Sequence, residues 1–451
     1  MWITIGGQRV DSVNKDKNDV IAAVGTPRGR GAISCVRLSG EGSAEIVKKL
    51  TRGIKEIKHA VMNPCRFKGR IKDRIMAVVY FAPESYTGEE SAELYFHGGT
   101  FITEQALLSV IDCGARLAEA GEFTRRAFLN GKIDLTQAEG IGDLIDSDSF
   151  ASAEAAYEQS EGKIRNAVNN IYETAVTAAA RAEVSIDYPE EDIEEQTREE
   201  LRADISNIIK ETDRELKGYD GGRIRREGAR VVITGKTNAG KSTLFNTLLG
   251  EERAIVSDEE GTTRDTVEEK MIYKGEAFVL IDTAGIRETD SKAEKMGIER
   301  SFDAVNNADI ILRVINDISE INENSLDLNE VIVLNSFKYS CDNVSENESE
   351  SGAMVLNAES GYGVEKLKEE LYERAKKKIA GGGCINNARQ YNALKNAKEC
   401  LQRALDATEN MTIDCVCADM RGALEYLASV TGRNVSESVI GEIFSKFCVG
   451  K

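Results

Sequence analysis

The stretch GKTNAGKS, residues 235–242, has the residue types and spacing of a phosphate cradle. Gly235 and Gly240 allow the backbone to turn so that N–H groups, those of Asn238 and Ala239 among them, converge on phosphate oxygens. Lys241 brings a point charge to the β- and γ-phosphates, the Ser242 hydroxyl can ligand Mg²⁺, and Thr243 follows at the same turn. Farther on, Asp282-Thr283-Ala284-Gly285 supplies an Asp for the Mg²⁺ shell and a Gly N–H for a γ-phosphate. Between the two lies Gly261-Thr262-Thr263-Arg264-Asp265, where a threonine can complete the Mg²⁺ shell only while the γ-phosphate is present.

The order of these motifs looks like a Ras-like GTPase, with two departures. Ile286 stands where such enzymes keep a catalytic Gln, and an apolar side chain cannot orient water. The guanine-reading N-K-x-D motif is replaced by Asn335-Ser336-Phe337-Lys338, whose terminal cation cannot accept hydrogen bonds from a base edge. Asp342 is an alternative carboxylate from a shifted loop. The later S-A-x motif reads Asn357-Ala358-Glu359. Phosphate binding is therefore better founded than guanine preference.

The elements needed to hold these residues are legible. Val231–Ile233 reads as a strand before the loop and Ser242–Leu249 as a helix after it; strand, turn and helix N-terminus make an anion site. Ala277–Ile281 and Glu330–Leu334 read as further strands. Upstream, Val20–Val24 and Ala32–Val36 read as strands flanking the turn Gly25-Thr-Pro-Arg-Gly-Arg-Gly31, which is either an anion loop or an ordinary turn. Ile75–Phe81 and Ala92–Phe96 are further strands of this α/β unit. From Leu135 to Lys217, and again over 386–446, the periodicity is helical. Gly218–Gly222, followed by Arg223, Arg225 and Arg226, and Gly381–Gly383 read as linkers, so the nucleotide domain looks inserted between two halves of a helical domain. The expected boundaries are 1–19 (an extension without assigned role), 20–134, 135–222 with 384–451, and 223–380.

The 451 residues suffice for two to four domains, and 41% hydrophobic content is ordinary for a globular chain. There is no run of 18 apolar residues and no secretory pattern at the N-terminus, so a cytoplasmic, membrane-free protein is expected. Nine scattered cysteines and two histidines without ligand spacing argue for a reducing compartment and against a zinc site. The net charge of −19 excludes broad nonspecific nucleic-acid binding, and any RNA contact needs a local basic patch. The acidic run Glu190–Glu200 reads as a solvated helix face.

The whole chain from about residue 20 resembles the MnmE (TrmE) family of tRNA modification GTPases. The resemblance is carried by the Gly25–Gly31 turn with Arg37, by Tyr86-Thr-Gly-Glu89, His97-Gly-Gly99, the Gly121–Lys132 segment, Asp134–Glu139, the inserted GTPase motifs and the terminal Phe447-Cys-Val-Gly-Lys451. It implies a multidomain α/β and all-α protein: an N-terminal folate-binding domain that dimerises, a helical domain, and an inserted Ras-like P-loop domain on a mixed, mostly parallel sheet. Family members work as homodimers with a flavin-dependent partner, MnmG, which carries the FAD. Together, in a heterotetramer, they add a carboxymethylaminomethyl-type group to C5 of the wobble uridine of certain tRNAs, with a 5-formyltetrahydrofolate-type one-carbon donor.

By position, Arg37, Glu93, Lys132 and Lys451 match the family's folate contacts, and Cys448 lies in the tail near the modification site. The fourth-from-last position of Cys448 also suits a prenylation signal, but Lys451 is a poor terminal residue for one. Asn238, Ser257, Glu259 and Thr262 match K⁺-supplying positions, with K⁺ in place of an arginine finger; Thr263 matches the Mg²⁺-binding switch threonine and Glu294 the water-orienting acid. This answers the Ile286 departure. Two other readings stay open: a GTP-regulated assembly factor of ribosome-associated type, and a family member with weakened guanine recognition.

Overall fold

The computed structural model describes residues 2–5, 8–11, 19–187, 191–250, 268–282, 303–321, 329–336, 352–381 and 383–450. The backbone packs as two compact units, Met1–Gly142 with Thr431–Lys451, and Asp143–Val430.

The first unit begins with a hairpin of β1 (Trp2–Ile5) and β2 (Gln8–Asp11). A seven-stranded sheet follows, built from β3 (Ile21–Val24), β4 (Ile33–Ser39), β5 (Thr51–Arg52), β6 (Asn63–Lys68), β7 (Lys72–Tyr80), β8 (Ser91–His97) and β9 (Arg116–Leu117) in the order β5-β6-β7-β8-β4-β3-β9. Its helices include α1 (Ser43–Leu50), α2 (Thr100–Asp112), α3 (Glu122–Leu129) and the start of α4 (Leu135–Asp146). The period of two sorts the side chains. Val36 and Leu38, Cys65 and Phe67, Ile75 and Ala77, and Ala92, Leu94 and Phe96 face α1 and α2 in one core. Arg37, Arg66, Arg74, Glu93, Tyr95 and His97 therefore fall on the opposite face.

The second unit joins a helical core to a second sheet. Helices α5 (Phe150–Ser160), α6 (Lys163–Asp187), α7 (Glu191–Lys217) and α8 (Tyr219–Glu227) lead into it. On α6, Ile164, Val168, Ile171, Ala175, Ala178 and Ala182 recur at three- and four-residue steps and are buried against α7 and the later α11 (Ala388–Asn410) and α12 (Ile413–Thr431). The sheet comprises β10 (Ala229–Gly235), β11 (Glu268–Tyr273), β12 (Glu276–Asp282), β13 (Ile310–Ile315), β14 (Glu330–Asn335) and β15 (Met354–Leu356), in the order β11-β12-β10-β13-β14-β15. All pairs are parallel except β11–β12. Helices α9 (Lys241–Leu249) and α10 (Val364–Ile379) pack on it. Near-continuous apolar runs on β10, β12 and β14 reflect burial on both faces. This is the mixed, mostly parallel P-loop sheet expected from the motifs. The last helix, α13 (Glu437–Ser445), belongs to the first unit, where Phe444 packs on Leu135 and Ala138.

One local expectation is corrected. Gly218–Gly222 is not a slack linker, because Tyr219–Glu227 is helical. Its glycines are contact residues: a Cβ on Gly222 would lie 2.2 Å from the Ile385 carbonyl oxygen, and one on Gly221 2.8 Å from that of Lys378. The arginines after them are tethers. Arg223 pairs with buried Asp309, Arg226 with Asp143 at 2.8 Å, and Arg225 with Glu154 at 3.0 Å. Composition reads such a segment as flexible; close packing and ion pairs make it a clamp.

Candidate functional sites

The phosphate cradle sits where strand order reverses, at the C-terminal end of β10 between β12 and β13. Gly235 has φ 142°, and a Cβ there would stand 2.3 Å from the Val314 carbonyl oxygen. Asn238 adopts φ 62° and Gly240 φ 90°, left-handed conformations that turn successive N–H groups toward one point; Asn tolerates this better than most residues. Lys241 is buried, and its Nζ donates to the carbonyls of Gly235 and Lys236 at 3.1 and 2.8 Å, so the ammonium is held across the loop mouth. Ser242 Oγ donates to Asp282 Oδ2 at 2.9 Å. A hydroxyl and a carboxylate meeting at a helix N-terminus form the oxygen corner that suits a hard divalent cation. Lys236 extends outward and pairs with Glu320 at 2.8 Å.

Asn335 and Ala358 are brought to the same cradle. Asn335 Nδ2 donates to the Ala239 carbonyl at 3.0 Å, and its Oδ1 accepts from the Ala358 N–H at 3.0 Å. The amide occupies the space a Gly240 Cβ would need, 2.1 Å from Nδ2. Asn357 Oδ1 accepts from the N–H groups of Glu359 and Ser360, fixing the following turn, and Thr247 of α9 donates to the Ala358 carbonyl at 2.6 Å. Three sequence-distant motifs thus share one hydrogen-bonded frame. In the sequence Asn335 reads only as the kept first residue of the base-reading motif, not as a tether. Its signal is the apolar β14 run that ends on a buried amide.

In the other unit, Arg37 and Glu93 face each other across β4 and β8, with Nε to Oε1 at 3.0 Å. Arg37 lies over the rings of Tyr86 and Phe123, at 5.8 and 5.6 Å from their centroids, and donates to the Gly450 carbonyl at 3.4 Å. Tyr95 donates to Glu93 Oε2 at 2.5 Å. Burial, then the hydrogen bond to Glu93, raises the Tyr95 pKa, so it stays a donor; burial likewise raises that of Tyr86. Burial, with the Glu93 charge, pushes the Cys35 thiol up to about 12, making it inert. Lys132 Nζ donates to the Pro83 carbonyl at 3.1 Å and packs along Gly88. The C-terminal tail closes on the site: Ala120 bridges to Val449, Gly121 N–H donates to the Cys448 carbonyl at 3.4 Å, and Cys448 is exposed. Behind it, Arg116 and Arg126 bind Asp19, Glu89 and Glu122 in a buried network that fixes α3.

Residues 20–132 match the family pattern described as GTP-binding protein TrmE N-terminus, and residues 135–448 that of the MnmE helical domain. The chain is similar to proteins named tRNA modification GTPase MnmE. It is 38% identical to that of Thermotoga sp. strain RQ2 over 452 residues, covering 96% of this chain and 100% of the relative. The Aquifex aeolicus protein is 38% identical over 444 residues, covering 96% and 99%.

The chain belongs to the MnmE family. As for solved structures, the G domain of the Thermotoga maritima FeoB iron transporter is 25% identical, covering 33% of this chain and 98% of that one, with a TM-score of 0.24. Of the MnmE positions singled out in the sequence, the fold gathers Asn238, Ala239, Gly240, Lys241, Ser242, Asp282, Asn335, Asn357 and Ala358 around the cradle, with Thr243 in the first turn of α9. It brings Arg37, Glu93 and the tail before Lys451 together in the other unit. Ser257, Glu259, Thr262, Thr263, Thr283, Ala284, Gly285, Ile286, Glu294, Lys338, Asp342 and Lys451 lie outside the described residues. Among the described residues no helix is long and apolar enough to cross a membrane, and no cluster of His, Cys, Asp and Glu could hold a metal ion.

Proposed function

We propose that this chain hydrolyses GTP in the cytoplasm to drive modification of the tRNA wobble uridine. As a homodimer working with the flavin-dependent partner MnmG, it adds a carboxymethylaminomethyl-type group at C5 from a tetrahydrofolate one-carbon donor. The observation that carries the reading is the cradle itself. Lys241 is held over the loop mouth by two carbonyls, and Ser242 and Asp282 meet at the helix N-terminus in a family of tRNA modification GTPases.

In this reading the N–H groups of Asn238 to Thr243 bind the phosphates and Lys241 neutralises charge on the bridging oxygens. Ser242, Asp282 and Thr263 hold Mg²⁺, which supplies Lewis-acid stabilisation of the leaving diphosphate. Asn238, with carbonyl or side-chain oxygens of Ser257, Glu259 and Thr262, holds K⁺, the counter-charge that an arginine finger supplies elsewhere. Thr283, Ala284 and Gly285 line the γ-phosphate, and Glu294 orients the attacking water in place of a Gln. Pairing of two G domains then assembles the competent site. In the N-terminal unit, the cationic Arg37, Lys132 and Lys451 attract the folate's glutamate carboxylates, while Glu93 accepts from the pterin N–H groups. Glu93 is supported for this task by its fixed geometry: each oxygen already holds one donor, Arg37 or Tyr95, and keeps a second lone-pair direction.

GTP turnover measured in KCl and NaCl, with ATP as control, tests the hydrolytic reading. Faster turnover in KCl and its loss in Glu294→Ala are expected; equal rates in both salts and in the variant would sink it. Binding of 5-formyltetrahydrofolate, lost in Arg37→Ala, tests the donor and separates this reading from an assembly factor.

A second reading concerns the base. Lys338 replaces the carboxylate that would read guanine, and Asn335 is engaged within the protein by Ala239 and Ala358. Weakened guanine selectivity follows if no other acid replaces it. Equal GDP and ADP affinities would establish this reading and remove GTP specificity.

A further inference from the structure

The outward face of β5, β6 and β7 carries cations in rows. Arg52 stands directly opposite Arg66, and Arg66 opposite Arg74, so three guanidinium groups run across three neighbouring strands. One step along the same face, Lys68 stands opposite Lys72. Strand spacing makes the arginine row about 10 Å long. Like charges directly opposite destabilise a sheet. Here nothing offsets them: none of these five side chains has an acid partner among the described residues, and all five are exposed. The outward positions of β5–β7 contain no carboxylate. Asp73, the neighbouring acid, accepts instead from the backbone N–H and Nδ1 of His97. Yet acids outnumber bases 77 to 58 in the chain, so partners were abundant in composition. Such a cluster persists where an external anion supplies the counter-charge.

The shape narrows the anion. The arginines line a groove of about 780 Å³ whose floor includes Met76 and the half-buried Tyr95. Charged walls beside the single Tyr95 ring suit a polyanion that also presents flat rings. A second cavity of about 330 Å³ shares Ile33 with the groove and is lined by Arg28 and Arg30 of the Gly25–Gly31 turn, neither with an acid partner among the described residues. Glu104 is the single carboxylate in that lining. Tyr95 at the groove floor donates to Glu93, so the groove runs up to the Arg37–Glu93 pair.

We propose that this sheet face docks the RNA backbone, phosphates on the Arg52–Arg66–Arg74 row and on Lys68 and Lys72, delivering a base toward Glu93; the proposal rests on the tRNA reading above. Recognition is of phosphate charge and not of sequence. It supplies the local basic patch that a chain of net charge −19 requires for RNA contact.

The test uses the full-length chain and fluorescently labelled tRNA, with anisotropy read across a KCl series. For Arg52→Gln/Arg66→Gln/Arg74→Gln, affinity falls about tenfold or more and the slope of log K against log salt falls by about 2, from three lost phosphate contacts. Lys68→Gln/Lys72→Gln, a milder variant in case the triple fails to fold, lowers the slope by about 1.4. GTP hydrolysis and 5-formyltetrahydrofolate binding stay unchanged in both, and Arg421→Gln, exposed on α12, leaves the slope alone. A wild-type chain that binds tRNA while both variants keep its affinity and slope overturns the surface only. Wild type that binds no tRNA at any salt overturns the tRNA reading and the surface with it. If the variants lose affinity for polyglutamylated 5-formyltetrahydrofolate and not for tRNA, the occupant is a folate tail and the proposal is wrong.

Discussion

Replacing Asn335 with alanine removes the strut between the phosphate cradle and the Asn357–Glu359 loop. The amide is 3% exposed and makes one hydrogen bond to each side, to the Ala239 carbonyl and from the Ala358 N–H, both at 3.0 Å. Leaving a buried backbone group without its partner costs about 1–3 kcal/mol. Two such groups give about 2–6 kcal/mol, and water entering the vacated space brings the expected figure to about 3 kcal/mol. At about 1.4 kcal/mol per decade this is roughly a 100-fold loss, expressed in nucleotide affinity, in stability, or divided between them. Because the strut supports the cradle, GDP and ADP lose affinity together; a residue that only read the base would cost GDP alone. Asn335→Asp keeps the acceptor for Ala358 but sets a carboxylate against the Ala239 carbonyl, so it is no better than alanine. Calorimetric titration with both nucleotides and thermal melting measure the two terms. An alanine variant with GDP affinity within threefold of wild type and a melting shift under about 2 °C would refute the strut.

Gly222→Ala, which would place a Cβ 2.2 Å from the Ile385 carbonyl, lowers the melting temperature, whereas Gly441→Ala, in mid-helix with nothing within 4 Å, leaves it unchanged or raises it; equal shifts would refute α8 as a clamp. Burial alone would raise the Glu122 pKa, but hydrogen bonds from Arg116 and the Glu119 N–H, with the charges of Arg116 and Arg126, hold it below the usual carboxylate range. A carboxylate with a depressed folded pKa stabilises fully above its unfolded pKa and loses that contribution as pH falls through the folded value. Wild type therefore loses stability below about pH 4.5 more steeply than Glu122→Gln. At pH 7 the variant is weaker by about 3 kcal/mol. Parallel curves of melting temperature against pH for the two proteins would contradict this.

The fold was most legible where periodicity and chemistry agreed. Each apolar run before or after a phosphate motif became a strand of the second sheet, displaced by a residue or two, because parallel strands buried on both faces must be apolar throughout. The α6 face was legible from its three- and four-residue steps for the same reason. Gly218–Gly222 misled because glycine serves two ends. It loosens a chain in isolation, and it also admits another backbone to within van der Waals contact. Sequence cannot distinguish these without the partner, here Ile385 and Lys378, which lie more than a hundred residues away.

The candidate sites divide along the same line. Lys241, Ser242 and Asp282 were legible because each motif carries its own local geometry. Asn335 as a strut was not, because its two partners come from a loop before and a loop after it in the chain. The arginine row is the sharpest case. Arg52, Arg66 and Arg74 are scattered in sequence among neighbours of mixed type, and each alone reads as an ordinary exposed cation. Only the register, Arg52 opposite Arg66 and Arg66 opposite Arg74, turns three solvated charges into one repulsive row. A surface that spends folding free energy on such a row, with acids plentiful elsewhere, has to recover it from an anion outside the chain, and the groove beside it is lined for one.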